Sequence, residues 1–269
     1  MDFRNSVMPK ISIITVSYNV KHTIEETICS VINQCYPNIE YIIIDGGSTD
    51  GTVEVIKKHQ DKISSWISEP DKGIYDAMNK GIERATGEWI NFMNAGDTFH
   101  TLSTLSELFG KEIPSDKTVI YGDHCLLYND RKYLLPSLPI EEIRKKIPFC
   151  HQASFTKACY LKKHPYNTAY KIAADYNSFY SIYCQNESAF YQVPLIISNY
   201  NYEDGFSIKN EINCIKESFK ISNTHPSLSA NLRLRVALTK AYTKKYLPSF
   251  LIKRIKESLI GKNYREIQL

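Results

Sequence analysis

The sequence predicts an α/β fold: a mixed, mainly parallel sheet flanked by helices, with a helical C-terminal extension. Three observations carry this. Short β-branched runs alternate with amphipathic helical spacing over the first hundred residues. The second half keeps apolar runs of strand length but loses the regular alternation. From Ile208 onward the pattern is helical with basic faces.

Taken in order, Ile11-Ser12-Ile13-Ile14-Thr15-Val16 has the length and composition of a strand. Residues 23–34 then place Ile24, Ile28, Val31 and Ile32 at helical spacing. Tyr41-Ile42-Ile43-Ile44 is the continuous apolar run expected of a buried parallel strand. A helix over 52–59 and a strand over 63–67 follow. Residues 73–85 put Ile74, Ala77, Met78, Gly81, Ile82 and Ala85 on one helical stripe, and Trp89-Ile90-Asn91-Phe92-Met93 makes a fourth strand. Further on, strands are expected over 118–121, 125–135 (turning at Asn129-Asp130), 190–194 and 196–200. Helices are expected over 140–146 and 173–184. Repeats and low-complexity linkers are absent, so one continuous core is expected.

Composition narrows the function. With 43% apolar and 23% charged residues in 269, the chain is an ordinary globular protein large enough for a sizeable core. No run approaches the roughly 20 apolar residues that span a bilayer. The stretch Met1 to Lys10 is polar and lacks an apolar signal core, so a cytoplasmic protein is expected. Seven dispersed cysteines, none spaced Cys-x-x-Cys, argue against a disulfide framework and a thiolate zinc site. Cys150-His151 reads as a buried thiol beside a polar histidine.

Ligands of open α/β sheets bind beyond the carboxyl ends of the strands. Four segments fall there: Thr15-Val16-Ser17-Tyr18-Asn19, Asp45-Gly46-Gly47-Ser48-Thr49-Asp50-Gly51-Thr52, Ser68-Glu69-Pro70-Asp71-Lys72-Gly73, and Asn94-Ala95-Gly96-Asp97. A single Asp-Gly turn before a helix is ordinarily a cap. Four small-polar turns at one sheet edge describe a pocket. Neither Gly-x-Gly-x-x-Gly nor a phosphate loop ending in Gly-Lys-Ser/Thr is present, which disfavours dinucleotide redox enzymes and ordinary ATPases. Carboxylates able to share Mg²⁺ or Mn²⁺ with a diphosphate, and Lys72 beside Gly73 at a helix start, are the phosphate-recognising devices.

The run Ile43-Ile44-Asp45-Gly46-Gly47-Ser48-Thr49-Asp50-Gly51-Thr52 resembles the Asp-Asp-Gly-Ser-Thr-Asp-Gly-Thr signature of family 2 glycosyltransferases of the GT-A fold, here of the kind that builds bacterial surface glycans. Glu69-Pro70-Asp71-Lys72-Gly73-Ile74-Tyr75-Asp76-Ala77-Met78-Asn79-Lys80-Gly81 is similar to their next block. Gly87-Glu88-Trp89-Ile90-Asn91-Phe92-Met93-Asn94-Ala95-Gly96-Asp97 is similar to the strand leading into their metal-binding Asp-x-Asp. The resemblance is continuous from Pro9 to about Thr98. It then thins to Tyr121-Gly122-Asp123, Phe149-Cys150-His151-Gln152, Ala174-Asp175-Tyr176 and Asp204-Gly205-Phe206-Ser207.

The resemblance implies an inverting transfer from a nucleoside diphosphate sugar, first of all a UDP-sugar, to a glycan or lipid-linked acceptor. It implies Asp175 as general base, Asp97 as ligand of Mg²⁺ or Mn²⁺, and His151 and Gln152 on the acceptor side. Donor contacts fall on Thr15, Ser17, Tyr18, Asp45, Gly46, Ser48, Asp71, Lys72, Gly73, Asp76, Asn94, Ala95 and Gly96. The chain divides into a tail (1–9), a donor half (10–110), an acceptor and catalytic half (111–207) and a basic helical segment (208–269). Three departures stand out: Gly46 replaces the second aspartate, Asn94 opens the reduced Asp-x-Asp, and Met78 stands where many relatives carry arginine. With Gly46 there, the nucleobase contact passes to Asp45, to backbone groups or to Asp71. A catalytically silent nucleotide-sugar-binding homologue is the alternative reading.

Residues 231–269 carry ten basic residues against Glu257 and Glu266, a net +8, which leaves −4 on the remainder. Leu232, Leu234, Val236, Leu238, Tyr242, Tyr246, Phe250 and Ile255 interleave with Arg233, Arg235, Lys240, Lys244, Lys253, Arg254 and Arg265. Pro248 breaks the run into two helices. Residues 231–265 read equally as an interfacial segment on anionic lipid or as a helical pair packed on the body. No nucleic-acid-reading module accompanies the charge, so nucleic acid is not an expected partner.

Overall fold

The computed structural model describes residues 8–129, 131–202, 205–223 and 228–267. The polar stretch 1–7, Asp130 of the expected turn and Asp204 of the last family-like segment lie outside the described residues.

The first half follows the alternation in the sequence. β1 (Ile11–Ser17), β2 (Ile39–Asp45), β3 (Ser65–Ser68) and β4 (Trp89–Phe92) lie parallel in the order β3-β2-β1-β4. Successive strand residues point to opposite faces, so each continuous apolar run supplies two cores. Ile11, Ile13 and Ile43 pack with Ile24, Ile28 and Val31 of α1 (Ile24–Ile32) and with Val55 and Ile56 of α2 (Thr52–Lys58). Ile14, Val16, Ile42 and Ile44 pack on the other face with Tyr75, Met78 and Ile82 of α3 (Ile74–Arg84). α3 lies close to the sheet because of Gly81, where a Cβ would stand 2.6 Å from Ile14 Cγ2.

The second half extends the same sheet in mixed sense. Its elements are β5 (Thr98–Phe99), α4 (Thr104–Phe109), β6 (Val119–Tyr128), β7 (Arg131–Leu135), β8 (Ser154–Lys157), α5 (Ala158–Lys163), α6 (Ala174–Gln185) and β9 (Phe190–Asn201). The order reads β7-β6-β8-β4, with β8 antiparallel to both neighbours and β9 parallel to β6. The helical extension is α7 (Phe206–Lys209), α8 (Glu211–Ser222), α9 (Leu228–Tyr246) and α10 (Ser249–Asn263), and Pro248 separates the last two as expected. The chain then returns as β10 (Arg265–Ile267), which pairs antiparallel with β7.

Several expected boundaries are corrected. The strands expected over 118–121 and 125–135 are one long β6 and a separate β7. Gly122-Asp123 is an irregularity inside β6, where a Cβ on Gly122 would meet Leu195 O at 2.5 Å and Asp123 accepts Ser137 N at 2.8 Å. The strands expected over 190–194 and 196–200 are one β9. Pro194 falls in the register shift between Gln192 and Ile196, where its missing N–H costs no ladder bond. The helix expected over 140–146 is a 3-10 turn, Ile140–Arg144. β5, β8 and β10 are too short to show a period in the sequence.

A buried carboxylate fastens the end of the sheet remote from the pocket. Glu40, 8% exposed, accepts from Ser12 Oγ at 2.6 Å, Thr86 N at 2.6 Å and Lys10 Nζ at 2.9 Å. Burial opposes the charge, but these donors outweigh it and hold the carboxyl down at about 2. Glu40→Ala strands the donors of Ser12 and Thr86, and we expect it to lower unfolding free energy by about 2–4 kcal/mol in urea titrations. An unchanged midpoint would show that the cluster contributes nothing to stability.

Candidate active site

The turns after β1, β2, β3 and β4 meet at one edge. The registers Ser17↔Asp45 and Asp45↔Ser68 place three polar residues side by side across three strands. Asp45 has no exposed surface. Its carboxylate accepts from Ser17 Oγ at 3.0 Å, Ser68 Oγ at 2.7 Å, Gly47 N at 3.1 Å, Ser48 N at 2.8 Å and Ser48 Oγ. Those five donors spend the group within the protein. With its oxygens engaged inside the protein, Asp45 shapes the pocket floor.

Asp71 occupies the space that Gly46 leaves open. A Cβ on Gly46 would clash with Asp71 Oδ2 and would lie 3.4 Å from Tyr18 Cδ2. The second aspartate of the family signature is thus replaced in space by a carboxylate from the next turn, beside an aromatic ring that is 63% exposed. Asp71 Oδ1 accepts Gly73 N at 2.8 Å, and Asp76 Oδ2 accepts Lys72 N at 3.1 Å. Lys72 is exposed at the start of α3. Gly73 takes φ +119°, a region that disfavours residues with a Cβ. The β1–α1 and β2–α2 loops are sewn together by Asn19 N on Ser48 Oγ, Thr49 N on Asn19 Oδ1 and Lys21 N on Asp50 Oδ2.

Thr15 departs from the expected set. Its hydroxyl donates to Met93 O at 2.7 Å, lies 3.0 Å from Tyr41 OH and has no exposure, so it braces β1 against β4 in the core. Thr15 and Ser17 share one face of β1, but Thr15 lies a pleat inside the strand opposite Ile43, whereas Ser17 closes the strand opposite Asp45 and takes the edge position instead.

At the fourth turn Asp97 is 4% exposed. Asn201 N donates to Oδ1 at 2.9 Å and Gln152 Nε2 to Oδ2 at 2.6 Å. Burial pushes the carboxyl up to about 7 against those two donors. Thr27 Oγ1 donates to Asp97 O and accepts Gly96 N, and Gly96 turns the chain at φ +98°. Ala95 packs against the core of the α1 face. Among the described residues Asn94 Oδ1, a buried oxygen, has no hydrogen-bond partner. Among the described residues no three His, Cys, Asp or Glu side chains converge as a metal cage. A free amide oxygen and a carboxylate with one lone pair left on each oxygen fit a hard cation shared with phosphates, and do not fit one held by the protein alone.

Gln152 links this turn to a second cluster. Its Oε1 accepts from Cys150 Sγ at 3.0 Å, and burial pushes that thiol up to about 12. Cys150 is half-buried, which corrects the buried thiol expected, and with its thiol held protonated it is a poor nucleophile. The neighbouring His151 lies with Nδ1 3.6 Å from Asp175 Oδ2 and Nε2 3.0 Å from Tyr166 OH. Phe92, Tyr166 and Phe179 surround the ring. Burial lowers the imidazole's affinity for a proton, partly offset by Asp175, so it is neutral at pH 7. Asp175 Oδ1 accepts Tyr75 OH at 2.8 Å and its neighbour's Tyr176 N at 2.8 Å, leaving Oδ2 toward the histidine. Residues 171–173, which lead into α6, donate three backbone N–H groups to Glu217 of α8.

The site thus unites Asp97 with Gln152 and Asp175 with His151 through two consecutive residues. Sequence reading missed Tyr75, Tyr166 and Glu217. Tyr75 lies inside a family-like block, but its partner is 100 residues away. Glu217 is one glutamate on an amphipathic helix, and no local signal distinguishes it.

Comparison with known proteins bears on the class. The model of "Glycosyl transferase family 2" matches residues 12–138. A Mycobacterium tuberculosis PGL/p-HBAD biosynthesis glycosyltransferase is 27% identical over 245 residues, 88% of this chain and 92% of the relative. An uncharacterized M. tuberculosis glycosyltransferase, Rv1514c, is 34% identical over 185 residues, 62% of this chain and 66% of its own length. Among solved structures, mannosyltransferase PcManGT from Pyrobaculum calidifontis, in complex with GDP-Man and Mn²⁺, superposes with a TM-score of 0.65 at 16% identity, over 94% of this chain and 81% of its own. S. aureus TarS 1–349 in complex with UDP gives 0.62 at 16%, over 89% and 72%.

The curled, mixed sheet is that of the GT-A fold, and the matched family model with the named relatives makes the chain a glycosyltransferase. Within that class, the match over residues 12–138 and the named relatives support a family 2 glycosyltransferase.

The raised carboxyl of Asp97 makes stability depend on pH. Between the unfolded value near 3.8 and about 7 the folded chain binds the extra proton, so this contribution is complete below pH 3.8 and is lost as pH rises through 7. We expect the stability of the ligand-free, chelator-treated protein relative to Asp97→Asn to fall by about 4 kcal/mol across that window. Parallel curves for the two proteins in urea unfolding would refute it.

Proposed function

We propose that this enzyme transfers a sugar with inversion from a nucleoside diphosphate sugar, first of all a UDP-sugar, to the hydroxyl of a glycan or lipid-linked acceptor. The observation that carries this reading is that two consecutive residues stand against the two carboxylates, Gln152 Nε2 2.6 Å from Asp97 Oδ2 and His151 Nδ1 3.6 Å from Asp175 Oδ2. The pair joins the donor edge to a carboxylate fixed by Tyr75.

In this reading Asp71 accepts from the nucleobase, with Tyr18 flanking the base. The N-terminus of α3, with Lys72, Gly73 and Asp76 around it, faces the diphosphate. Gly46, Ser17 and Ser48 line the nucleoside end through backbone and hydroxyl groups. Asp175 takes the proton of the acceptor hydroxyl as its oxygen bonds to the anomeric carbon. The anomeric carbon–phosphate oxygen bond breaks on the opposite face, and its electron pair leaves on the nucleoside diphosphate. Neutral His151 positions Asp175, Tyr75 holds its other oxygen, and Gln152 orients Asp97. Asp97 and Asn94 are the residues that would hold Mg²⁺ or Mn²⁺, which when bound neutralises the departing diphosphate. PcManGT with GDP-Man and Mn²⁺, and TarS with UDP, support a nucleotide-bound donor and a divalent cation. The name of a Bacillus subtilis relative, a putative teichuronic acid biosynthesis glycosyltransferase 38% identical over 92 residues, supports polysaccharide synthesis.

Asp175→Asn should abolish transfer, by at least about 10³-fold, while donor affinity in calorimetry stays within twofold, because the base acts on the acceptor. Wild-type turnover in that variant removes Asp175 from the role. Asp71→Ala should weaken UDP binding at least about tenfold, and Gly46→Asp in that background should restore it; failure of both effects places the base contact elsewhere. Binding of UDP-, GDP- and dTDP-sugars, read as thermal shifts, ranks the donor. Donor binding with no transfer under any metal condition would establish the silent-homologue reading.

A further inference from the structure

The C-terminal helices satisfy both expectations raised by the sequence, on opposite faces of α9. Ala230 and Ala241 are buried on the side packed against α8, and Lys244 pairs with Glu211 of α8 at 2.7 Å. On the other side Leu228, Leu232, Val236, Tyr242 and Tyr246 are exposed, Leu232 by 63% and Leu228 by 91%. At 100° per residue these five fall within about 120° of arc, centred away from the two alanines. Among the described residues nothing covers them. Arg235 lies within the same arc, and Arg233 and Lys240 border it; all three are exposed.

An exposed apolar stripe on a surface helix marks an interaction site. What seats on it is indicated by the charge around it: cations flank the stripe, and residues 231–269 carry net +8 while the rest of the chain carries −4. A protein partner or a second copy would have to meet both properties with one acidic, apolar surface. An anionic bilayer offers both at once, phosphate groups at the depth of the basic side chains and acyl chains beneath. Among the described residues no helix is long and apolar enough to cross a membrane.

We propose that the outer face of α9 docks the enzyme on an anionic lipid surface, with Leu228, Leu232, Val236, Tyr242 and Tyr246 inserted among the lipids and Arg233, Arg235 and Lys240 at the headgroups. α8, against which α9 packs, also holds through Glu217 the segment leading into Asp175. The docked face is therefore structurally continuous with the catalytic half, but the proposal stands independently of the donor chemistry.

The test is co-sedimentation of the full chain with vesicles of phosphatidylcholine alone or containing one-third phosphatidylglycerol, at low and high salt. We expect binding to the anionic vesicles only, weakened by salt. Arg233→Gln and Lys240→Gln should each lower it by about fivefold. Leu232→Ser combined with Val236→Ser should lower it by more than about tenfold. These positions are on the surface, and an unchanged melting curve confirms that the variants fold. Equal partition to both vesicles, no partition to either, or an undiminished double variant would overturn the proposal. A dimer in sedimentation equilibrium that the double variant dissociates would assign the stripe to a second copy of the chain and overturn it equally.

Discussion

The pocket depends on the burial of one carboxylate. Asp45 has no exposed surface, yet it sits where three parallel strands end, and an isolated charge there would cost several kcal/mol or more. Five donors offset that cost, and they come from β1, from the turn after β2 and from β3. In satisfying Asp45 the chain fixes how the three turns approach one another. The backbone of 46–48, the Asp71 carboxylate and the Tyr18 ring take their places around that knot.

A second buried carboxylate has the opposite character. Asp97 receives only two donors, and burial wins to the extent that its proton is held up to about 7. The difference between the two aspartates is one of donor count, and it divides their work. Asp45 is spent in architecture, whereas Asp97 keeps lone pairs and an incomplete neutralisation. Beside it Asn94 Oδ1 has no partner among the described residues. In the proposed reaction a cation held at that turn would compete with the proton for the same oxygens.

Consecutive residues act as connectors between distant parts of the site. Gln152 and His151 are neighbours in one short 3-10 turn, His151–Ala153, and each reaches a different carboxylate. The segment from Asp71 to Asp76 does the same for the other wall, running from the Gly46 side to Tyr75, whose hydroxyl holds Asp175. Both connectors are short, so few covalent links separate the donor edge from the proposed base. That is consistent with a reaction in which acceptor deprotonation and donor departure occur in one displacement.

The sequence alone determined the parallel half of the fold, the position of the four edge turns and the family, because β-branched runs, helical stripes and small-polar turns are local patterns. It also located Asp97, Gln152, His151 and Asp175 as short matches. What it could not decide depended on distance. Thr15 and Ser17 look equivalent in the sequence and share one face of β1, and only the point at which the strand ends puts one in the core and the other at the edge. Asp45 and Asp71 both looked able to take a base contact, and only the closure of the turns used up the first. The joining of 118–128 and of 190–201 into long irregular strands rests on pairing with each other, which no local period records. The basic tail carried two compatible signals at once, and only its packing on α8 separated the buried face from the exposed one. Local chemistry wrote the residues of the site; tertiary contact decided which of their lone pairs were left to use.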